Sequence, residues 1–499
     1  MVVMEKNNFP GRLTPYVVIC WLLAACGGLM FGYDIGISGG VTGMNDFLIK
    51  FFPKVYERKQ HAHESNYCKY DNQYLQLFTS SLYLSALVSS FLGSKLCSIK
   101  GRKLTIMISS LCFLAGCILC TAAQHLWMLI IGRVLMGVGI GFGNEAVPLF
   151  LSEIAPVQHI GAVNILFQLL VTIGILIANL VNFATLNLHH IGWRVSLGLA
   201  AVPALLLLIG SVVIPETPTS LIERDHFDKG EQVLKKVRGV ENVEAELQEI
   251  KEACLQAKLV KHPYKELRKK HSVPPLVIGI MLQVFQQMTG INAIMFYAPV
   301  LFQTMGFESN GSLLSAVIIG LVNVFSTLVS LFGVDKFGRR VLLLQACAQM
   351  FLSQIIIGII LITKLADTGT LAKGPAIVVV LLTCTFVMSF AWSWGPLGWL
   401  IPSEIFPVET RTAGFAFSVS SNMLFTFLVA QAFLSLLCHM RAYIFIFFSA
   451  WILVMALFVV FLLPETKGIP IDSVADQVWK KHPVWKRFVK DGDSPEFQA

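Results

Sequence analysis

At 499 residues, with 55% hydrophobic side chains, 14% charged ones and a mean hydropathy of +0.69, the chain is too apolar for a soluble domain. It is long enough for about a dozen membrane spans of ~20 residues each. Its formal charge of +8 includes no basic run long enough for nucleic acid, so the excess reads as Lys and Arg gathered in loops on one side of a bilayer.

Met1 to Arg12 is polar, and the apolar run that follows is too long for a signal-peptide core, so it is expected to stay as the first span. Apolar windows then fall near 15–40, 74–94, 104–123, 126–150, 161–183, 193–214, 273–303, 312–334, 341–363, 374–400, 411–436 and 441–463. Late in the first window lies Phe31-Gly-Tyr-Asp34-Ile-Gly-Ile-Ser-Gly-Gly40. An ionised carboxylate near a bilayer centre costs roughly 3 kcal/mol or more, so it persists where it lines a polar cavity, pairs with a cation or exchanges a proton. The surrounding glycines read as a break in this span, because irregular backbone at membrane depth marks a transporter's site. A carboxyl group hydrogen-bonded into helix packing is the alternative.

Lys95, Lys100, Arg102 and Lys103 lie between spans two and three, and Lys336, Arg339 and Arg340 between eight and nine. Both loops are therefore expected on the cytoplasmic side, and both termini with them. Charged, helix-forming residues from Glu216 to His271 divide two six-span halves and read as a solvated helical cover. The expected organisation is an N-terminal half over 1–214 with a lid near 41–73, a linker over 215–272, a second half over 273–465 and a tail over 466–499.

The halves repeat one another. Ser152-Glu153-Ile-Ala-Pro156 closes span four and Ser403-Glu404-Ile-Phe-Pro407 closes span ten; Gly101-Arg102-Lys103 opens span three and Gly338-Arg339-Arg340 opens span nine; Pro215-Glu216-Thr217 ends span six and Pro464-Glu465-Thr466 ends span twelve. Parallel repeats related by an axis along the membrane normal imply a site between the halves, opened alternately to each side. The fold class expected is all-α, twelve transmembrane helices in two pseudo-symmetric bundles. No nucleophile–base pairing or metal-ligand spacing emerges, so neither an enzyme nor a cofactor is expected.

Four stretches carry a closer resemblance: Gly28-Leu-Met-Phe-Gly-Tyr-Asp34-Ile-Gly-Ile-Ser-Gly-Gly40, Asn66-Tyr-Cys68-Lys-Tyr-Asp-Asn-Gln73, Gln286-Gln287-Met-Thr-Gly290-Ile-Asn292-Ala-Ile-Met-Phe-Tyr297 and Trp392-Ser-Trp394-Gly-Pro396-Leu-Gly-Trp399-Leu-Ile-Pro-Ser-Glu404. Together they make the chain resemble the plant sugar transport proteins, monosaccharide/proton symporters of the sugar porter family within the major facilitator superfamily. The resemblance implies a monomeric, multi-pass plasma-membrane protein that takes up a hexose with a proton by alternating access.

It also implies roles for residues. Asp34 would carry the proton, with Arg133 as its cationic partner; by helical rise Arg133 lies ~10 Å below the outer surface. Facilitative sugar porters have a neutral residue at the position of Asp34, so a uniporter is the less favoured alternative. A hexose offers hydroxyls that both donate and accept, and a C–H face, so its site needs amides and an aromatic ring. The resemblance places Gln168, Gln286, Gln287, Asn292, Asn323 and Trp399 at the sugar, with Phe31, Ile35 and Ile175 as apolar neighbours. Amides that only tie helices together remain the alternative. Of eleven cysteines, Cys68 and Cys438 fall on the oxidising side, and the resemblance implies that they are bridged, with two free thiols as the alternative.

At the cytoplasmic gate the resemblance implies charge pairs among Glu153, Glu404, Arg411, Asp335, Arg339 and Arg340. The second half keeps Glu404-Ile-Phe-Pro407-Val-Glu-Thr-Arg411, but the first reads Glu153-Ile-Ala-Pro156-Val-Gln-His-Ile160. Ile160 is therefore expected to leave Glu153 short of a cation, or else nearby Lys and Arg compensate. Glu145 stands where the group has glutamine, and Cys97 where the wider superfamily has an acid. Ile160 and Glu145 keep a third reading open, a transport-impaired paralogue or sugar sensor. Asn310-Gly-Ser312 fits a glycosylation acceptor expected to be unused, and His482 to Phe488 reads as an interfacial anchor.

Overall fold

The computed structural model describes residues 14–60, 66–156, 160–186, 188, 191–260, 263–305, 309–365, 371–465 and 478–488. Among these, twelve helices are long and apolar enough to cross a membrane: Pro15–Gly43, Gln73–Lys100, Arg102–Ala122, Leu126–Ile154, Gly161–Thr185, Gly192–Val213, Lys270–Gln303, Gly311–Leu331, Arg339–Lys364, Lys373–Ile405, Arg411–Met440 and Tyr443–Phe461. They are numbered as spans one to twelve. The fold is the expected all-α bundle of twelve spans. One end carries short helices between spans one and two and is called the lid face; the other carries the helices between spans six and seven and is called the linker face.

The first span is not broken. Pro15–Gly43 is one continuous helix of 29 residues, started by the Thr14 side chain, which accepts from the Val17 amide. Its glycines serve packing instead: a Cβ on Gly32 would lie 1.9 Å from the Val171 carbonyl oxygen of span five, and one on Gly28 would lie 2.4 Å from that of Phe167. Small residues at one face let two backbones approach within van der Waals contact, which stabilises helix pairs where lipid supplies no hydrophobic drive.

In the first half, span six is interrupted between Gly192–Gly198 and Ala201–Val213, and two more interrupted spans lie in the second half. Span seven is interrupted at Gly290, whose φ of +83° suits glycine, and kinks again at Tyr297 ahead of Pro299. Span ten is interrupted at Ser393 (φ −132°, ψ −86°) and holds Pro402 in its last turns. Proline has no N–H, so the carbonyl four residues earlier is left without its helical donor. Gly398 is that residue, and its oxygen accepts from Gln283 Nε2 at 2.6 Å.

On the lid face, helices Asn45–Phe51 and Pro53–Gln60 lie over the first half. Phe47 is fully buried against Phe52, Phe78 and Trp193. A Cys68–Cys438 disulfide, with Cα atoms 4.5 Å apart, joins this lid to the end of span eleven, and Tyr70 Oη donates to Gln303 of span seven at 2.5 Å.

The linker is more than a solvated cover. Arg238 donates to the Ile154 carbonyl at 2.8 Å and pairs with Glu246 at 2.7 Å, so it caps the end of span four. Tyr264 sets its ring 6.5 Å from Phe91 of span two, tilted, and 6.2 Å from Phe417 of span eleven, edge to face. Beyond span twelve, Trp485 is buried and donates to the Leu462 carbonyl at 2.7 Å, which anchors that segment.

Candidate functional site

Span one delivers Asp34 and span four delivers Arg133 to one buried point in the first half, with 1% and 0% of the side chain exposed. Arg133 Nη1 donates to Asp34 Oδ1, and Nη2 donates to Ser38 Oγ at 3.0 Å. Ser38 in turn donates to the Asp34 carbonyl at 2.9 Å, one helical turn back. The guanidinium carbon lies 4.2 Å from the Phe78 ring centroid, a cation–π contact that replaces part of its lost hydration. Among the described residues Asp34 Oδ2 has no hydrogen-bond partner, so one carboxylate oxygen is paired and the other is bare. Such a pair survives burial only while both charges remain together. Tyr83 of span two, also buried with an unpartnered hydroxyl, sets its ring 5.3 Å from Phe296 of span seven and links this neighbourhood to the second half.

The amides gather around the broken spans. Gln286 Nε2 donates to the Trp394 and Gly395 carbonyls at 2.9 and 3.1 Å, where span ten restarts. Asn422 of span eleven donates to Gln286 Oε1 at 2.7 Å and to Gln283 Oε1 at 2.6 Å. Gln287 Oε1 accepts from Asn292 Nδ2 at 2.5 Å. From the first half, Phe167 places its ring 6.3 Å from Trp399, which also faces Phe415 at 6.3 Å. Gln168 Nε2 lies 3.4 Å from where a Cβ of Gly395 would stand.

Gln168, Gln286, Gln287, Asn292 and Trp399 thus lie along spans five, seven and ten where the halves meet. Ile175 packs its backbone against Gly36, two residues beyond Asp34, and Phe31 and Ile35 are buried on the same span. Asn323 is buried in span eight, with no contact that joins its side chain to the other amides. Gln283 and Asn422 were not among the expected residues, though they complete the network. Gln283 lies one turn before Gln286 and could have been found on that spacing; nothing local marks Asn422.

At the linker face each half repeats one device. Gly101 (φ +97°) and Gly338 (φ +88°) open spans three and nine. The exposed amides that follow are capped by carboxylates: Glu216 accepts from Arg102 N at 2.9 Å, and Glu465 accepts from Arg339 N at 3.1 Å. Arg102 Nη2 then reaches Glu153 Oε1 at 2.7 Å, as Arg339 Nη2 reaches Glu404 at 3.0 Å. Arg411 donates to the Ser403 carbonyl at 3.1 Å, and Arg340 N–H donates to Glu465. The side chains of Asp335 and Ile160 lie outside the described residues. Glu153 needs nothing from position 160, because Arg102 pairs with one oxygen and Thr217 Oγ1 donates to the other at 2.5 Å. The expected deficit of charge is therefore absent.

The profile of the Sugar (and other) transporter family matches residues 20–478. Sugar transport protein 8 of Arabidopsis thaliana is 61% identical, covering 100% of this chain and 99% of its own. Among solved structures, the proton:xylose symporter XylE bound to 6-bromo-6-deoxy-D-glucose superposes with a TM-score of 0.80 at 26% identity, over 92% of this chain and 98% of that one. The partially occluded inward open conformation of XylE from E. coli superposes less well, with a TM-score of 0.74 at 25% identity over 91% and 99%. The chain belongs to the sugar transporter family of the major facilitator superfamily, with the plant sugar transport proteins among its relatives, and is a multi-pass membrane transporter rather than an enzyme.

Proposed function

We propose that this transporter takes up a hexose together with a proton across the plasma membrane, with the linker face in the cytoplasm. The observation that carries the reading is the dry Asp34–Arg133 pair, one carboxylate oxygen of which is unpartnered. Both residues belong to one half, so rocking of the halves changes their access to water, and Arg133 parts from Asp34 by a side-chain movement within that half. With Arg133 in place the carboxylate is favoured; when Arg133 turns away in a dry pocket, the neutral acid is favoured. Proton loading on the lid side and unloading on the linker side follow from that alternation.

Sugar binding falls to Gln168, Gln286, Gln287, Asn292, Asn323 and Trp399, with Asn422 holding Gln286 in place. Amides offer a donor and an acceptor without charge, which suits a polyol, and the Trp399 ring suits the C–H face. Phe31, Ile35 and Ile175 lie on the path from Asp34 toward this site. Hexose binding there would bring the halves together over the ion pair and exclude water from it. The relatives are named as sugar transport proteins, and the superposed XylE is a proton:xylose symporter, which supports sugar transport as the coarser part of this reading. An impaired transporter finds no support at Ile160, since Glu153 is already paired.

Radiolabelled glucose uptake against external pH, with and without a protonophore, tests the reading in wild type and Asp34→Asn. Accumulation should rise with acidity, collapse with the protonophore and vanish in the variant, while sugar binding by the variant stays measurable. Protonophore-sensitive accumulation by Asp34→Asn overturns it.

A further inference from the structure

A second buried acid has no place in that cycle. Glu145 lies in span four, three turns beyond Arg133 toward the linker face, and is 0% exposed. Among the described residues neither of its carboxyl oxygens has a hydrogen-bond partner, and the neighbouring Asn144 Nδ2 is unpartnered too. An isolated ionised carboxylate in such surroundings is so costly that a group takes up a proton instead, unless a cation answers it.

The charged and titratable groups that act on it are few. Arg102, at the start of span three, is the cation that influences it. The Arg102 guanidinium is committed elsewhere, to Glu153, to Glu223 at 2.9 Å and to the Cys97 carbonyl. Span two contributes the Cys97 thiol and the linker contributes the Tyr264 phenol. Span one presents Met30 beside Gly143, and span eleven carries Arg411, which donates to the Ser403 carbonyl. Among the described residues span five brings no ionisable side chain to it.

Its surroundings include the seam between the halves. A Cβ on Gly93 of span two would lie 3.6 Å from Glu145 Cβ. The next residue, Ser94, donates across the seam to the Thr412 carbonyl at 3.3 Å and accepts from Tyr264 Oη at 3.3 Å. Four residues earlier, Ser90 and Ser420 bond at 2.6 Å, and Phe91 meets Phe417 edge to face at 5.5 Å. Parting that seam at the linker face removes the layer that shields Glu145.

We propose that Glu145 is a second proton site, private to the cytoplasmic gate: its carboxyl holds a proton while the seam is closed, releases it to cytoplasmic water when the seam opens, and must regain one before the seam closes. The proton leaves to and returns from the same compartment, so the site adds nothing to the proton carried by Asp34 and leaves the stoichiometry of uptake unchanged. It makes the return step depend on internal pH. An ordinary glutamate in water titrates near pH 4.3, so across the neutral range the protonated fraction of the open state falls roughly tenfold per unit.

The inference rests on the proposed alternating access but not on proton coupling at Asp34, so the test uses exchange of labelled glucose in proteoliposomes with equal glucose on both sides, the external pH held constant and the internal pH varied. Wild-type exchange should slow several-fold as internal pH rises from about 6 to about 8, approaching tenfold per unit where closing limits the rate. Glu145→Gln, of the same shape and always neutral, should give a flat internal profile, and Glu145→Asp should keep the slope. Infrared difference spectra should show the carbonyl stretch of a protonated carboxylic acid in wild type that Glu145→Gln lacks, a readout that needs no transport. A wild-type profile already flat, or one reproduced by Glu145→Gln, overturns the proposal, as does the absence of that band. Loss of coupling by Asp34→Asn with these results intact would leave it standing, and the reverse pattern would remove it alone.

Discussion

The two halves share a gate and differ at the membrane's centre. At the linker face the first half places Arg102 on Glu153 under a Glu216 cap, and the second places Arg339 on Glu404 under a Glu465 cap. Deeper in, the first half has an unbroken span one and one buried ion pair, whereas the second has two broken spans and a web of neutral amides. A charge pair needs a dry, rigid setting, which continuous helices packed glycine to backbone provide. A polyol site needs carbonyls and amides aimed inward, and breaks at Gly290 and Ser393 with the proline at 402 release them. The two copies of one scaffold thus differ in where the buried charge pair and the amide web sit, and the breaks at Gly290 and Ser393 accompany the amide web.

That division is most directly tested by comparing Asp34→Asn with Asn422→Ala. The first should abolish accumulation while leaving binding measurable. The second unties Gln283 from Gln286 and should weaken sugar binding about 5- to 30-fold, the equivalent of about 1–2 kcal/mol from buried acceptors left unmatched, with the external pH profile unchanged. Binding by scintillation proximity beside uptake against pH separates the two; matching defects in both variants would break the division.

The shared gate predicts a smaller asymmetry. Arg102 and Glu153 are 4% and 5% exposed, against 7% and 19% for Arg339 and Glu404, so the first pair is drier. Removing one member of a buried pair costs about 3–5 kcal/mol, and water access reduces that figure. Arg102→Met should therefore shift the resting population toward the inward-open state more than Arg339→Met. Cysteine accessibility from the cytoplasmic side, at matched expression, checks the order.

At the lid, burial and then the neighbouring Lys69 charge push the Lys59 ammonium down to about 8 from 10.5. Its nitrogen donates to Asn45 Oδ1 at 2.8 Å near the end of span one. Below about pH 8 Lys59 is charged whether the lid is docked or not, so the docked state bears the whole desolvation cost. Between about 8 and 10.5 the docked state sheds its proton while the undocked state keeps it, so docking strengthens as pH rises. Reduction of Cys68–Cys438 by a phosphine should slow across that window in wild type and not in Lys59→Met. The smallest effect is expected from Ile160→Arg: with Glu153 already paired to Arg102, uptake should stay within about twofold of wild type, the size of an exposed ion-pair contribution. A large gain would show that Arg102 does not satisfy the gate.

Much of this was legible in the chain itself. Hydropathy windows located twelve spans, and the paired Glu153/Glu404, Arg102/Arg339 and Glu216/Glu465 motifs marked two halves, because bilayer thickness and helix-end chemistry act within a few neighbouring residues. Asp34 stood out for the same reason, since a charge in an apolar run is costly wherever the run lies. What only the tertiary structure decided were the relations between distant segments. The glycines of span one read as a break, and only span five packed against them makes them a packing face instead. The motif around Glu153 lacks an arginine, which left a missing cation and compensation by a nearby one both open, and the cation is Arg102, 51 positions away in sequence. Asn422 carries no local signal, and Glu145 stands out as an acid in an apolar run without showing whether it is paired: one completes an amide network and the other is left bare, according to which side chains other helices turn toward them. Helix formation is decided by neighbours in the chain, whereas the satisfaction of a buried polar atom is decided by neighbours in space.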